Sequence, residues 1–358
     1  MGRQAKAGQC LKRLVTMAVP VLQAAERQCP RKGRGAKLKV PDWLIAALIM
    51  YSVLKKKKTK SAQYRFLRQQ RSEIATWLGD RRFPSRATYF RRYRRAHRFF
   101  RVAVRLQGQR AIAEGVTDPQ HTAVDKSLMA APGPPWHRQD RQAGKIPAGV
   151  DRDATWGYSE HDGWVHGYSY EVVVSSTPKS TVFPLLASVD SASASEPRSF
   201  LSKVAELPLS TRTVSADSGY DANYVGEAVE YDDRGCRTAR RFLCPEQPRN
   251  NKRVKTKPPC WVDKMRAESR RRRAERRQYL QSKKGKILYA RRKKTAEPFN
   301  QWLKSLFELE DRVWHRGLDN NRTQILTAIF IYQLLVRHNF VCGKPTGESA
   351  GSWTPCEL

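Results

Sequence analysis

The sequence predicts an α/β fold, and three observations indicate it. Between residues 120 and 245, short apolar or alternating segments typical of strands alternate with segments of helical periodicity. Such alternation is typical of a sheet covered by helices. The regions before and after this middle part are predicted to be mainly helical. With 358 residues, of which 40% are hydrophobic, the chain is long enough to bury a sizeable core.

The first region, residues 1–119, is predicted to contain three helices. Pro41 suits the first turn of a helix through WLIAALIMYSVL, and a second helix covers about 62–78, with Gly79 as its stop. Ser85 is an N-cap candidate for the long helix SRATYFRRYRRAHRFFRVAVRL. Three helices that end in a basic one fit a helix-turn-helix type of DNA-binding head. The predicted DNA contacts are Arg86, Arg91, Arg92, Arg94 and Arg95.

The middle and last regions contain the predicted sheet and its covering helices. TAVDKSLM, WVHGYSYEVVVSS, STVFPLLASVDSA, TRTVSAD and TARRFLCPE are predicted strands, and EPRSFLSKVAEL and NYVGEAVEY are predicted helices. A second domain is expected over 120–342, with a basic insertion at about 247–286 and a buried apolar helix near its end. Residues 343–358 are predicted to be a polar tail.

Charge is distributed unevenly along the chain. The net charge of +35 divides into +23 for residues 1–119, −6 for 120–235 and +18 for 236–358. An ordinary metabolic enzyme without a polyanionic partner is excluded by such an excess, and nucleic acid is the first candidate partner. The longest apolar run, 43–54, is shorter than the roughly 20 residues that span a membrane. Seven scattered cysteines indicate reduced thiols and a cytoplasmic location.

Three carboxylates are candidates for metal-dependent chemistry on a phosphodiester. Asp125 ends the run TAVD, Asp217 ends RTVSAD before a Gly-containing turn, and Glu297 precedes Pro298. Carboxylates brought together from separate elements can hold two Mg²⁺ ions for phosphoryl transfer. Each also has an ordinary interpretation, as a strand end, a turn or a solvated helix face. Asp190 or Glu160 replaces Asp125 if the strand order differs.

The start of the helix near Glu297 has two possible positions. Glu297 and Pro298 suit an N-cap and the first helical position, with Lys304 on the same side seven residues later. If the helix instead continues backward through a kink, Tyr289 and Lys293 join the same stripe.

The motifs TAVDKSLM, SADSGYD and RRKKTAEPFNQWLK, in this order, resemble the DDE transposases of bacterial insertion sequences. The resemblance covers roughly residues 120–340 and implies an RNase-H-like catalytic domain with a mixed sheet. It implies that Asp125, Asp217 and Glu297 bind Mg²⁺ or Mn²⁺ and that Lys304 contacts DNA near the cleavage site. The family arginine before the glutamate is either replaced by Lys293 or displaced to Arg292, and Tyr289 matches the family tyrosine.

The resemblance also implies partners and an activity. The partners expected are double-stranded DNA, both terminal inverted repeats and target, and a second copy of the chain in a dimer or larger assembly. The expected reaction is hydrolysis that frees a 3′-OH, followed by its attack on target DNA. A metal-dependent nuclease of the same fold and an inactive basic DNA-binding protein are the alternatives. Association with the nucleoid in the cytoplasm is expected.

Overall fold

The computed structural model describes residues 2–30, 39–78, 82–247 and 260–343. The helix stop predicted at Gly79, residues 248–259 of the predicted insertion and the predicted tail beyond residue 343 lie outside these ranges. The rest of the predicted insertion forms helix α9 (Cys260–Gln281) and the start of α10 (Lys283–Leu306).

Five helices precede the sheet: α1 (Gly2–Gln28), α2 (Asp42–Leu54), α3 (Lys60–Gln69), α4 (Arg71–Leu78) and α5 (Arg86–Ala113). The N-cap predicted at Ser85 is confirmed, since its Oγ accepts the Thr88 N–H at 3.3 Å. Pro41 is the N-cap residue of α2 and not part of its first turn. The single helix predicted over 62–78 is two helices, divided at Gln70.

Six strands form one mixed sheet: β1 (His121–Ala130), β2 (Thr155–Ser159), β3 (Gly163–Ser175), β4 (Pro184–Ser191), β5 (Thr213–Ser215) and β6 (Arg241–Leu243). β3 is antiparallel to β1, β2 and β4. β1 is parallel to β5, and β5 is parallel to β6. β1 is therefore a central strand with antiparallel neighbours on one side and parallel neighbours on the other. The α/β prediction with an RNase-H-like mixed sheet is confirmed.

Helices cover both faces of the sheet. Asp125 of β1 contacts α10, so α10 lies on the face to which Asp125 points. Glu171 of β3 points to the other face, because its β1 partner is Lys126, and it pairs there with Lys203 of α7 (Glu196–Val204). α6 (Arg138–Gln142), α8 (Asn223–Glu230) and α11 (Leu318–Val341) complete the helices of the described residues.

The apolar helix α11 joins the N-terminal helices to the sheet. Its buried side chains, Ile329 and Phe330 among them, belong to the same hydrophobic core as residues of α2, α5 and β3. Each fully buried side chain of this size contributes roughly 1.5–3 kcal/mol. Arg337 of α11 forms a bidentate ion pair with Glu114 at the end of α5. Its Nη2 donates to Oε1 at 2.6 Å and its Nε donates to Oε2 at 2.8 Å. Residues on both sides of the predicted boundary at 119 and 120 thus share one core.

Two further observations concern α5 and the membrane prediction. The Cβ of an alanine at Gly108 would lie 2.9 Å from the Leu185 carbonyl oxygen, so α5 approaches the backbone of β4 closely. In the described part of the chain, no helix is long and apolar enough to cross a membrane.

Candidate active site

Two of the predicted carboxylates come together where β1 and β5 pair in parallel. Ala123 lies opposite Ser215, and Asp125 and Asp217 each follow two residues later. Neighbouring strands are about 4.8 Å apart. The two side chains are close enough that the negative charge of Asp217 raises the pKa of Asp125. Asp125 does not end its strand as the TAVD run suggested, because β1 continues to Ala130.

The turn that carries Asp217 is held from two sides. Asp217 caps the 3₁₀ turn Ser218–Tyr220, and its Oδ1 accepts the Gly219 N–H at 3.0 Å. Tyr220 is fully buried and donates its hydroxyl hydrogen to Glu171 Oε2 at 2.9 Å. The turn is therefore anchored to the opposite face of the sheet. Burial raises the pKa of Asp217, while the Arg292 guanidinium and the backbone N–H groups act in the opposite direction.

Asp125 is buried, and both of its carboxylate oxygens accept hydrogen bonds from α10. Arg292 Nη1 donates to Oδ1 at 2.9 Å, and Asn300 Nδ2 donates to Oδ2 at 2.7 Å. Burial raises the pKa of Asp125 to about 7, against the opposing charge of Arg292. The nearby carboxylates of Asp217, Glu297 and Glu196 add to this rise. The site thus concentrates negative charge in a region with little water.

Helix α10 does not begin at Glu297. Its N-cap is Ser282, whose Oγ accepts the Gly285 N–H at 3.1 Å, and the helix continues through Pro298 to Leu306. The N-cap predicted at Glu297 is therefore wrong, and the second arrangement considered from the sequence is the one observed. One continuous helix carries all the candidate residues of this segment: Tyr289, Arg292, Lys293, Glu297 and Lys304.

Arg292, and not Lys293, reaches the aspartates. Arg292 Nη1 lies 2.9 Å from Asp125 Oδ1, whereas Lys293 is exposed on α10. Arg292 and Asp125 are each only 11% exposed, so water screens their ion pair weakly. The structure therefore places the arginine one residue before the position at which the family arginine was expected.

Glu297 and Lys304 lie at the edge of the same site. The Glu297 side chain is exposed, and its charge acts on the pKa of Asp125. Burial lowers the pKa of Lys304, while the charges of Asp162 and Asp125 act to raise it. Asp162 belongs to the turn between β2 and β3, so this hairpin extends to the carboxylate cluster.

Two site residues were missed as functional candidates. Asn300 falls on the Glu297 side of the helix, three residues later, but nothing in the sequence assigned this one amide a role. Glu196 begins α7, where an acid is most simply interpreted as a favourable partner of the helix dipole. The structure brings it to Asp217, and burial raises the pKa of Glu196 to about 7, with the charge of Asp217 adding to the effect.

The alternatives to Asp125 occupy other positions. Asp190 lies on β4 and pairs with Arg322 at 2.7 Å. Glu160 belongs to the turn of the β2–β3 hairpin, and its charge acts on Asp217. Trp302 of α10 is partly buried and packs against the core.

The arginines of α5 divide into exposed and buried groups. Arg91, Arg94 and Arg95 are exposed and line a shallow pocket, and the guanidinium of Arg86 lies 5.1 Å from the ring centre of Phe90. Arg92 is buried, and its guanidinium pairs with Asp42 and also donates to the Val40 carbonyl. Its role is therefore to join α5 to the start of α2, and it is unavailable at the surface to DNA.

The family model described as the transposase DDE domain matches residues 116–334. Because this match spans more than half of the chain, the protein belongs to the DDE transposase family. No curated protein and no solved structure matches the chain significantly.

The chemistry of the side chains fits the divalent metal that this family implies. Carboxylate and amide oxygens are the donors that Mg²⁺ and Mn²⁺ prefer. Asn300 Oδ1 is buried and has no hydrogen-bond partner among the described residues. Across those residues, no three His, Cys, Asp or Glu side chains already converge on one metal position. Binding of an ion would therefore have to draw the carboxylates closer together.

Proposed function

We propose that this transposase binds the ends of a DNA element, hydrolyses phosphodiester bonds there and joins the freed 3′-OH to target DNA. We assign Asp125, Asp217 and Glu297 as the metal-binding residues. The alternative to be tested is a nuclease of the same fold that cuts DNA without joining it.

One observation carries the proposal. Asp125 lies on β1 and Asp217 lies two residues after the end of the neighbouring parallel strand β5, and the helix that holds Asp125 through Arg292 and Asn300 also bears Glu297. The raised pKa of Asp125 and of Asp217 reflects burial in a cluster of like charge. Bound divalent cations would neutralise this cluster, polarise the phosphodiester and stabilise charge on the attacking and leaving oxygens.

The cationic residues of α10 act on the DNA strand. Arg292 has a planar guanidinium that suits bidentate contact with a phosphate once Asp125 no longer holds it. Tyr289 lies three residues before Arg292 on the same helix, and we expect it to contact the same DNA strand. Lys304 lies within electrostatic reach of Asp125 and supplies a positive charge to the backbone near the cut, with Lys293 further along the exposed side.

Sequence-independent attraction comes from two basic regions. The exposed arginines of α5, Arg86, Arg91, Arg94 and Arg95, form one, and the basic residues of α9 and α10 form the other. Ion pairs with phosphates release counterions, so binding is expected to weaken steeply as salt rises. Two element ends must be brought together, so we expect at least a dimer on DNA, which sedimentation of the DNA complex would measure.

A strand-transfer assay tests the proposal. A pre-cut element end with a free 3′-OH is incubated with a plasmid target and Mg²⁺ or Mn²⁺, and joined products are counted. We expect joining by the wild-type protein and a loss of at least 100-fold in Asp125→Asn, Asp217→Asn and Glu297→Gln, with DNA binding retained. A loss of that size corresponds to about 2.7 kcal/mol of transition-state stabilisation.

The outcome separates the alternatives. Cutting without joined product would favour the nuclease. DNA binding without cutting or joining, and with no effect of the three substitutions, would favour an inactive DNA-binding protein.

A further inference from the structure

We propose that Glu196 is a fourth carboxylate ligand of the divalent-metal site. This inference rests on the proposed metal-dependent function and extends it to a residue outside the Asp-Asp-Glu triad. The ligand would be a divalent cation that prefers oxygen donors, such as Mg²⁺ or Mn²⁺.

Glu196 and Asp217 meet at a single glycine. A Cβ built on Gly219 would overlap Glu196 Oε2 and would lie 3.1 Å from Asp217 Oδ1. Both carboxylates therefore approach the same side of the Gly219 backbone. The Gly219 N–H already holds Asp217 Oδ1 at 3.0 Å, which leaves Glu196 without that donor. The absence of a side chain at residue 219 is what allows the two acids to come together.

Glu196 lacks the partners that a structural carboxylate of this burial would need. Its side chain is 27% exposed, and its nearest cation is Lys126, with Nζ 3.9 Å from Oε1. Lys126 Nζ donates at shorter distances to two carbonyl oxygens, 3.2 Å to Ala192 and 2.7 Å to Ala194. Within the described residues no hydrogen bond to Glu196 is formed. A half-buried carboxylate beside a second carboxylate raises the free energy of the folded protein when no cation is bound.

A second observation concerns an oxygen of α10 beside Asp125 that has no donor among the described residues. Asn300 is 9% exposed, its Nδ2 is committed to Asp125 Oδ2, and its Oδ1 is buried without a donor. The charge of Glu196 also acts on Asp125. Side-chain oxygens of β1, the turn after β5, α7 and α10 thus lie near one another. Some belong to carboxylates and one belongs to an amide, and all are oxygen donors of the kind that Mg²⁺ and Mn²⁺ prefer.

A structural role for Glu196 makes the opposite prediction for the metal-free protein. If Glu196 only stabilises the start of α7 through the helix dipole, Glu196→Gln lowers the melting temperature of the metal-free chain. If Glu196 is a metal ligand held against Asp217, the same substitution removes like-charge repulsion. The melting temperature of the metal-free protein then rises, and the increase that Mn²⁺ produces becomes smaller.

The test measures Mn²⁺ alone binding to the full chain, from the electron paramagnetic resonance signal of the free ion. We expect Glu196→Gln to weaken Mn²⁺ binding at least tenfold, as loss of a metal-site interaction commonly does. The matched control is Glu206→Gln, which lies just after α7 at similar exposure, 31%, and pairs with Arg101 and Arg105. It should leave Mn²⁺ binding unchanged.

A second variant keeps the charge of Glu196 but moves it. Glu196→Asp keeps the negative charge, but aspartate is one methylene shorter, so its carboxylate is withdrawn from Asp217 without any change at Gly219. Mn²⁺ binding should weaken in this variant as it does in Glu196→Gln, including in the case where Glu196→Gln proves unstable.

Two results would overturn the inference in distinguishable ways. If both variants bind Mn²⁺ as tightly as wild type while Asp217→Asn does not, Glu196 is not a ligand and the proposed function stands. If the wild-type protein binds no Mn²⁺ and cuts no DNA, the proposed function fails and the inference fails with it.

Discussion

The ion pair between Arg292 and Asp125 lies inside the proposed metal site. Nη1 of Arg292 lies 2.9 Å from Asp125 Oδ1, and both side chains are only 11% exposed. Arg292 therefore occupies part of the carboxylate that the proposed metal site uses. Under the proposed function, a cation bound at Asp125 would offset the charge that holds Arg292, and the guanidinium would then contact the DNA backbone.

Arg292→Lys is expected to reduce strand transfer at least tenfold with little change in melting temperature. Lysine keeps the positive charge but lacks the planar guanidinium, which can form two parallel hydrogen bonds to a carboxylate or a phosphate. The measurement is the initial rate of joining at saturating DNA. Lys293→Gln is the matched comparison, because Lys293 is exposed on the same helix, and it should change the rate less. Equal losses in the two variants would contradict the assignment of Arg292.

The contribution of Asp125 to stability is expected to fall as pH rises from about 4 to 7. The pKa of Asp125 is raised from 3.8 to about 7 by burial, so the folded state holds a proton that the unfolded state releases. This contribution therefore decreases with pH across this window, and the decrease is complete above the folded pKa.

Asp125→Asn should remove part of this decrease. Its melting temperature should exceed that of wild type at pH 8 without metal, by on the order of 2 °C. Thermal melts at pH 5 and pH 8 in a chelating buffer measure the effect. Identical pH profiles for the two proteins would show that Asp125 does not titrate in this range.

At the scale of elements, the sequence predicted the start of α5 correctly and the start of α10 incorrectly. Ser85 was predicted as a cap because serine accepts an N–H from the first turn, and this interaction needs no distant partner. The start of α10 was misplaced because Pro298 is preferred in a first turn but is tolerated inside this helix, whose other residues pack on β1 and α11. Tertiary packing, which a single sequence does not display, overrode the local preference.

Ser85→Ala is expected to destabilise the protein by about 1 kcal/mol, and Ser85→Gly by only a few tenths. The alanine variant leaves the Thr88 N–H without its cap. Urea denaturation of both variants measures the difference. Because Ser85 is exposed and far from the carboxylates in sequence, cutting of DNA should not change. Equal stability of the alanine variant and wild type would contradict the cap.

At the scale of the whole molecule, the sheet and the order of its acids could be predicted, but the junction with the N-terminal helices could not. Strand periodicity and the SADSGYD turn are local, and they placed Asp125 and Asp217 in the same sheet before any contact was known. The position of α5 depends on Gly108, which touches β4, and on Arg337, which pairs with Glu114. Such long-range contacts have no periodic pattern. The proximity of Glu196 to Gly219 was hidden for the same reason.

Gly108→Ala is expected to destabilise the whole chain by about 1–3 kcal/mol, since the added Cβ meets backbone atoms of Leu185 that cannot turn away. Gly115→Ala is not a suitable control, because Gly115 has a positive φ of 72°. Ala113→Gly at the end of the same helix serves better. The expected observation for Gly108→Ala is one cooperative transition at lower temperature, whereas two separate transitions would indicate that α5 and the sheet unfold independently.

The close approach of α5 to β4 determines which partner must change shape during recognition. If α5 contacts DNA as proposed, it cannot move on a linker to reach the bond to be cut, because it shares a core with the sheet. The DNA duplex must then bend so that the bound sequence and the scissile phosphate both reach the protein. Bending by 40–90° costs of order 1–6 kcal/mol. Element ends with flexible pyrimidine–purine steps near the cut are therefore expected to be the better substrates, even where no side chain contacts those bases.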